Sequence, residues 1–185
     1  MTARTRLRAL LVAATLIAVL SMTVIAGTFS CGVFAIINVK NGKCLTVDGD
    51  NYLDNNATIY LEEYKGWEIQ KWYVEEVAPL EYIIVSKPSG KALIVNYATE
   101  AQTGANIKQY DYQGHRRQRW NLLGHIQVGA FQIARVDRYA LVVVPEVHTS
   151  GWTNAVQGKE DWLDEYTLNT EGLWYFRLIE PVSLP

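Results

Sequence analysis

Phe34-Ala-Ile-Ile-Asn-Val-Lys-Asn-Gly-Lys-Cys-Leu-Thr-Val47 returns 48 residues later as Tyr82-Ile-Ile-Val-Ser-Lys-Pro-Ser-Gly-Lys-Ala-Leu-Ile-Val95. Ile36 falls on Ile84, Gly42-Lys43 on Gly90-Lys91, and Leu45 and Val47 on Leu93 and Val95. Without any gap, the same offset carries Ala57 onto Ala105, Ile59 onto Ile107, Tyr64 onto Tyr112 and Gly66 onto Gly114. It ends by placing Gln70-Lys71-Trp72 on Gln118-Arg119-Trp120. Matches this dispersed at one fixed offset mark an internal repeat, and a repeat constrains the fold before any local element does.

A third copy follows in weaker form. Ala140-Leu141-Val142-Val143 lies on Ala92-Leu93-Ile94-Val95, with Phe131 to Val136 as the strand before it. Its closing tryptophan comes late, at Trp174, behind Gly172-Leu173 in place of Gln-x. An insertion is therefore expected between Val144 and Leu173. The repeats run about 33–79, 80–127 and 128–181. Inside each, short runs of Val, Ile, Tyr and Leu are separated by turn formers such as Asn41-Gly42, Asp48-Gly49 and Pro88-Ser89-Gly90. After residue 30 no stretch holds a helical apolar period. Evenly spaced short strands in three copies predict an all-β, closed, pseudo-threefold domain.

The segment before the repeats reads differently. Arg4, Arg6 and Arg8 precede an uncharged, mostly apolar run from Ala9 to Ala26, which leaves through Val24-Ile25-Ala26. A basic start, an apolar run and a small-residue exit form the pattern of a cleaved secretory signal over residues 1–26. Left uncleaved, the run is long enough to anchor the chain in a bilayer, the one way a membrane enters this reading. Cleavage after Ala26 removes those three arginines and no acid, leaving 14 basic against 19 acidic residues. That mildly acidic body argues against nucleic acid as a partner, which calls for clustered Lys and Arg. His115-Arg116-Arg117-Gln118-Arg119, the one basic cluster, reads as a solvated turn. The two cysteines, Cys31 and Cys44, flank the first strand. In an oxidising compartment they form one bridge across a hairpin, or else Cys44 stays free.

Three units, two of them closing on Gln-x-Trp behind a Gly-Lys-x-Leu-x-Val hairpin, resemble the ricin B-type lectin domain from Val33 to Pro181. The resemblance implies a β-trefoil, a six-stranded barrel capped by three hairpins, with Trp72, Trp120 and Trp174 as packing residues. It implies that Gln70 and Gln118 tie turns together rather than hold ligand. Sugar-binding members of the family carry an Asp after the first turn, an aromatic near the middle of the repeat and an Asn before the Gln of Gln-x-Trp. Here the Asp position holds Thr46, Ile94 and Val142; the Asn position holds Ile69, Arg117 and Glu171. The aromatic position holds Glu62 in the first unit and Tyr110 in the second. The family's within-repeat cysteine bridge is missing as well, since Tyr64 and Tyr112 stand where the partner of Cys44 would be.

The expected function is thus a secreted, non-enzymatic module for glycans of the cell surface or for polysaccharide, with degenerate sites. The second repeat is the first candidate: Tyr110 to stack on a pyranose, with Asn96, Gln109, Asp111 and Gln113 offering hydrogen bonds. Trp152 and Trp162, expected in the third-repeat insertion, are the second. The alternative is a protein-binding β-trefoil such as a protease inhibitor, presenting an ordered loop. His115, His125 and His148 lie in no metal-spaced motif, and there is neither a Gly-x-Ser-x-Gly elbow nor a phosphate-cradling loop. No catalytic residue, metal or cofactor is expected. Asn56-Ala57-Thr58 is a glycosylation sequon in a loop.

Overall fold

The computed structural model describes residues 32–96, 106–125, 129–136, 141–147, 153–157 and 172–181. They form twelve strands: β1 Gly32–Asn38, β2 Cys44–Val47, β3 Ile59–Glu62, β4 Trp72–Ala78, β5 Glu81–Ser86, β6 Ala92–Val95, β7 Ile107–Tyr110, β8 Trp120–His125, β9 Ala130–Arg135, β10 Leu141–Val147, β11 Thr153–Gln157 and β12 Leu173–Pro181. Two short 3-10 turns, Glu68–Gln70 and Arg116–Gln118, each deliver the Gln of Gln-x-Trp.

Six strands close on themselves. β1 pairs with β4, β4 with β5, β5 with β8, β8 with β9, β9 with β12, and β12 returns to β1, every pair antiparallel. Full closure removes the unpaired sheet edges that an open all-β domain has to protect. The other six strands make hairpins β2–β3, β6–β7 and β10–β11, with equivalent registers: Val47 opposite Ile59, Val95 opposite Ile107, Val143 opposite Ala155. A barrel with three equivalent hairpins is a β-trefoil.

The pseudo-threefold is visible in single backbone bonds. Val39 N–H donates to Leu173 C=O, Lys87 N–H to Lys71 C=O and Val136 N–H to Arg119 C=O. Each acceptor is the residue just before a closing tryptophan, so every unit is tied to the end of another. Two turns repeat with the same fidelity. Gly42 and Gly90 both sit at φ +69, where each donates to the carbonyl four residues back, from Asn38 and from Ser86. Positive φ is costly for any residue with a Cβ, which explains why both copies keep glycine there.

The core is assembled from equivalent residues. Trp72, Trp120 and Trp174 are fully buried along with Ile36 and Ile84, Leu45 and Leu93, Val47 and Val95, and Ile59 and Ile107. Buried indoles need a partner for N–H. Trp72 Nε1 donates to Leu45 C=O at 3.0 Å, and Trp120 Nε1 to Leu93 C=O at 3.4 Å.

Of the two possibilities the cysteines left open, the structure has one: Cys44 is a free, buried thiol, opposite Ile37 in β1. Cys31 lies outside the described residues. Burial pushes the Cys44 thiol up to about 12. One expectation is corrected, and it concerns the third repeat. Because β10 and β11 keep the register of the other two hairpins, the extra residues fall after Gln157. Trp152 therefore belongs to the β10–β11 connection rather than to the insertion. Both Trp152 and Trp162 lie outside the described residues.

Candidate functional site

Strand alternation decides which side chains of β7 share a face. Ile107 and Gln109 are buried; Lys108 and Tyr110, on the opposite face, are half-buried. Tyr110 stands opposite Ala92, and Lys108 opposite Ile94. The floor of this face is accordingly hydrocarbon, with Ile94 3% and Ala92 0% exposed. Tyr110 stands at its outer end.

Next to Tyr110 the chain leaves the strand at Asp111, whose carboxylate is held from two sides. Asn55, in the loop of the first repeat, donates from Nδ2 to Asp111 Oδ2 at 2.8 Å. The Asp111 backbone N–H donates back to Asn55 Oδ1 at 2.9 Å. Lys91, from the turn before β6, donates its ammonium to Oδ1. Lys91 first, then Asn55, hold the Asp111 carboxyl below the usual aspartate value. A carboxylate has about four lone-pair sites. Two are occupied here, and the side chain is well exposed, so it retains acceptors for hydroxyls.

The sequence-based set is only partly assembled. Tyr110 and Asp111 are neighbours, as expected. Gln109 is a correction: it points to the other face and is fully buried. Its amide donates to the carbonyls of Tyr52 (2.7 Å) and Asp54 (3.0 Å) and accepts from Ser89 Oγ (2.9 Å), fastening the first repeat's loop to the second repeat's hairpin. Asn96 is another. Its backbone N–H bonds to Asn106 C=O past the far end of β6, four strand residues or roughly 13 Å from the Ala92–Tyr110 pair. Gln113 is exposed in the following turn, where its backbone N–H donates to Gln118 Oε1. Asn55, Lys91 and Lys108 are additions to that set: Asn55 and Lys108 make contacts between repeats, which leave no mark in the periodicity of either one, and Lys91 meets Asp111 only once β6 pairs with β7.

The first repeat uses the equivalent face differently. Cys44 lies opposite Glu62, and Thr46 opposite Tyr60. Thr46 is fully buried; its hydroxyl donates to Cys44 C=O and accepts from Gln70 Nε2. Ile69, at the family's Asn position, packs against the core. Burial, then Glu62, Asp48 and Asp50, push Tyr60 up to about 12. Glu62 is ion-paired with Lys65. Gln70 also donates to Glu63 C=O and accepts from Lys65 N–H; Gln118 does the same with Asp111 C=O and Gln113 N–H. Both glutamines are turn ties.

Among the described residues no three His, Cys, Asp or Glu side chains gather as they would around a metal ion.

The model of the ricin-type beta-trefoil lectin domain-like family matches residues 24–110 and again 68–158. The chain belongs to that family. The two matches overlap, as expected where a family model is laid twice along a repeat. Solved structures share the β-trefoil fold. The designed threefold-symmetric protein ThreeFoil is 27% identical, covering 80% of this chain and 99% of its own, with a TM-score of 0.68. An exo-beta-1,3-galactanase of Clostridium thermocellum shares the fold at 24% identity and TM-score 0.64, over 80% of this chain and 30% of the galactanase. A Polyporus squamosus lectin, solved with the epitope Neu5Aca2-6Galb1-4GlcNAc, does so at 16% identity and TM-score 0.63, over 82% of this chain and 50% of the lectin. No curated relative matches the chain.

Proposed function

We propose that this protein is a secreted, non-enzymatic carbohydrate-binding module, with residues 1–26 as its cleaved signal. Its working saccharide site is the Tyr110 face of the second repeat. The observation that carries the reading is the pairing of a half-exposed aromatic with a pinned, ionised carboxylate: Tyr110 beside Asp111, the latter fixed by Asn55 and Lys91. A ring face stacks on the apolar side of a pyranose, and a carboxylate with free lone pairs takes adjacent hydroxyls. Family membership and a glycan-bound lectin of the same fold support it. The site is a reduced one, because Ile94 occupies the position where sugar-binding members keep an Asp.

A glycan array with wild type and Tyr110→Ala tests this. Binding of a defined glycan by wild type, lowered about tenfold or more in the variant, is the expected result. Equal binding by both proteins removes the site from Tyr110. A second reading, a protein-binding trefoil such as a protease inhibitor, is favoured by one observation: the family's Asp positions in the first two repeats are the buried Thr46 and Ile94. An array on which wild type binds nothing selects that reading.

A further inference from the structure

On the first repeat, the loop between β3 and β4 carries an exposed aromatic that matches no family position. Trp67 stands where the second repeat has His115, and its side chain is 44% exposed in the most solvated part of the loop. Lys65 Nζ lies over its ring, 4.3 Å from the centroid. Between the two, Gly66 turns the chain at φ +76. The Tyr64 ring is covered in turn by the Arg177 guanidinium of β12, at 5.3 Å. Tyr175, two residues earlier on β12, is also exposed, 41%. Lys65 over Trp67 and Arg177 over Tyr64 are thus two cation–ring pairs, and the chain from Tyr64 to Trp67 joins them into one row of four side chains.

The charges in this row are not equally committed. Lys65 is paired with Glu62. Nearby, Glu68 and Glu180 are both engaged by Lys71 and Lys87. Arg177 is exposed, and its contact among the described residues is the Tyr64 ring, with no carboxylate partner there. A guanidinium beside a ring keeps N–H donors that can take a carboxylate through two parallel bonds. At the other end of the row, the exposed part of the Trp67 indole that Lys65 leaves uncovered offers the apolar platform for a pyranose.

We propose that this row is a second saccharide site, specific for glycans that bear a carboxylate, such as uronate or sialate. A sugar ring stacks on Trp67 and its acid, or that of the next sugar, is taken by Arg177. The row spans two side-chain rings and the loop between them, which suits an oligosaccharide. The inference rests on the glycan-binding reading but uses different residues from the Tyr110 site.

The test titrates uronate oligomers and sialyl-oligosaccharides, their neutral counterparts and polyglutamate against wild type, Trp67→Ala, Arg177→Gln and Tyr110→Ala. Trp67 and Arg177 are both exposed, so their variants are expected to fold; thermal melts check it. The expected result is that either of these variants weakens an acidic saccharide about tenfold or more. Tyr110→Ala leaves that binding in place, and Arg177→Gln leaves binding of neutral saccharides unchanged. Acidic saccharides bound equally by wild type, Trp67→Ala and Arg177→Gln overturn the second site while glycan binding stands. Polyglutamate bound as tightly as any saccharide, and lost in the same variants, overturns it in favour of an acidic protein partner. A wild type that binds no saccharide removes both this site and the reading beneath it.

Discussion

In the first repeat the hairpin face beside the Gln-x-Trp turn carries Cys44, Thr46, Tyr60 and Glu62; in the second the same positions hold Ala92, Ile94, Lys108 and Tyr110. The backbone beneath them is the same, with matched registers, matched glycines at positive φ and the same buried tryptophan. The comparison separates two kinds of position. Those that fill the barrel or turn the chain are fixed by packing and by φ. Those on the outer hairpin face are free to change, and there one repeat has closed its face with a hydrogen-bonded threonine while the other kept an aromatic at the rim.

If the barrel is indifferent to this divergence, Trp72→Ala and Trp120→Ala should cost about the same. Each empties a fully buried indole site, for an expected loss of about 3–5 kcal/mol in urea unfolding. A clear inequality would show that one repeat dominates the core. Gln70→Leu and Gln118→Leu should differ. Gln70 serves Lys65 N–H, Glu63 C=O and Thr46 Oγ1, whereas Gln118 serves Gln113 N–H and Asp111 C=O. Losing one more buried hydrogen bond, that from Gln70 Nε2 to Thr46 Oγ1, makes the first variant worse by about 1 kcal/mol in the same assay.

A sharper contrast lies at the ends of β1 and β5. Asn38 donates to Leu173 C=O and accepts from the N–H groups of Lys40 and Asn41. Its counterpart Ser86 buries a hydroxyl with no hydrogen-bond partner among the described residues. Asn38→Ala should lower stability by about 1–3 kcal/mol, and Ser86→Ala should leave the melting temperature unchanged or raise it. The smallest effect is electrostatic. Lys91, then Asn55, lower the Asp111 carboxyl from its ordinary value, so Asp111 stays ionised to lower pH than an ordinary aspartate. Glycan binding at the Tyr110 face should therefore weaken only at a pH below that at which an ordinary aspartate protonates. In Lys91→Met, where Asn55 still holds the carboxyl from one side, the loss should move up towards the ordinary aspartate range, as read from affinity against pH.

Much of the fold is legible in the chain because its determinants are local and repeated. Gly42 and Gly90, or Leu45 and Leu93, face identical constraints and so recur at one offset. The site is less legible because its determinants cross repeats. Gln109 looks like a surface amide in its own strand, yet it is buried by carbonyls 55 and 57 residues away. Asn55 reaches Asp111 across 56 residues. Trp67 escapes notice because the family pattern looks for its aromatic at Glu62, and only solvent exposure separates Trp67 from the core tryptophans. The strand alternation of Lys108 and Tyr110 against Ile107 and Gln109 was available from sequence and would have excluded Gln109.

The pairing of Gly32 with Pro181 has a consequence for how the barrel is made. As the chain emerges during synthesis, β1 can find β4 early, but its other edge waits for β12, the last strand. Until then Phe34 and Ile36 flank an open edge, and closing it requires one of the longest loops the chain can form, which slows ring closure. β12 therefore acts as a latch. A ribosome stalled or a chain clipped before Leu173 would release an open sheet, prone to joining another like it edge to edge.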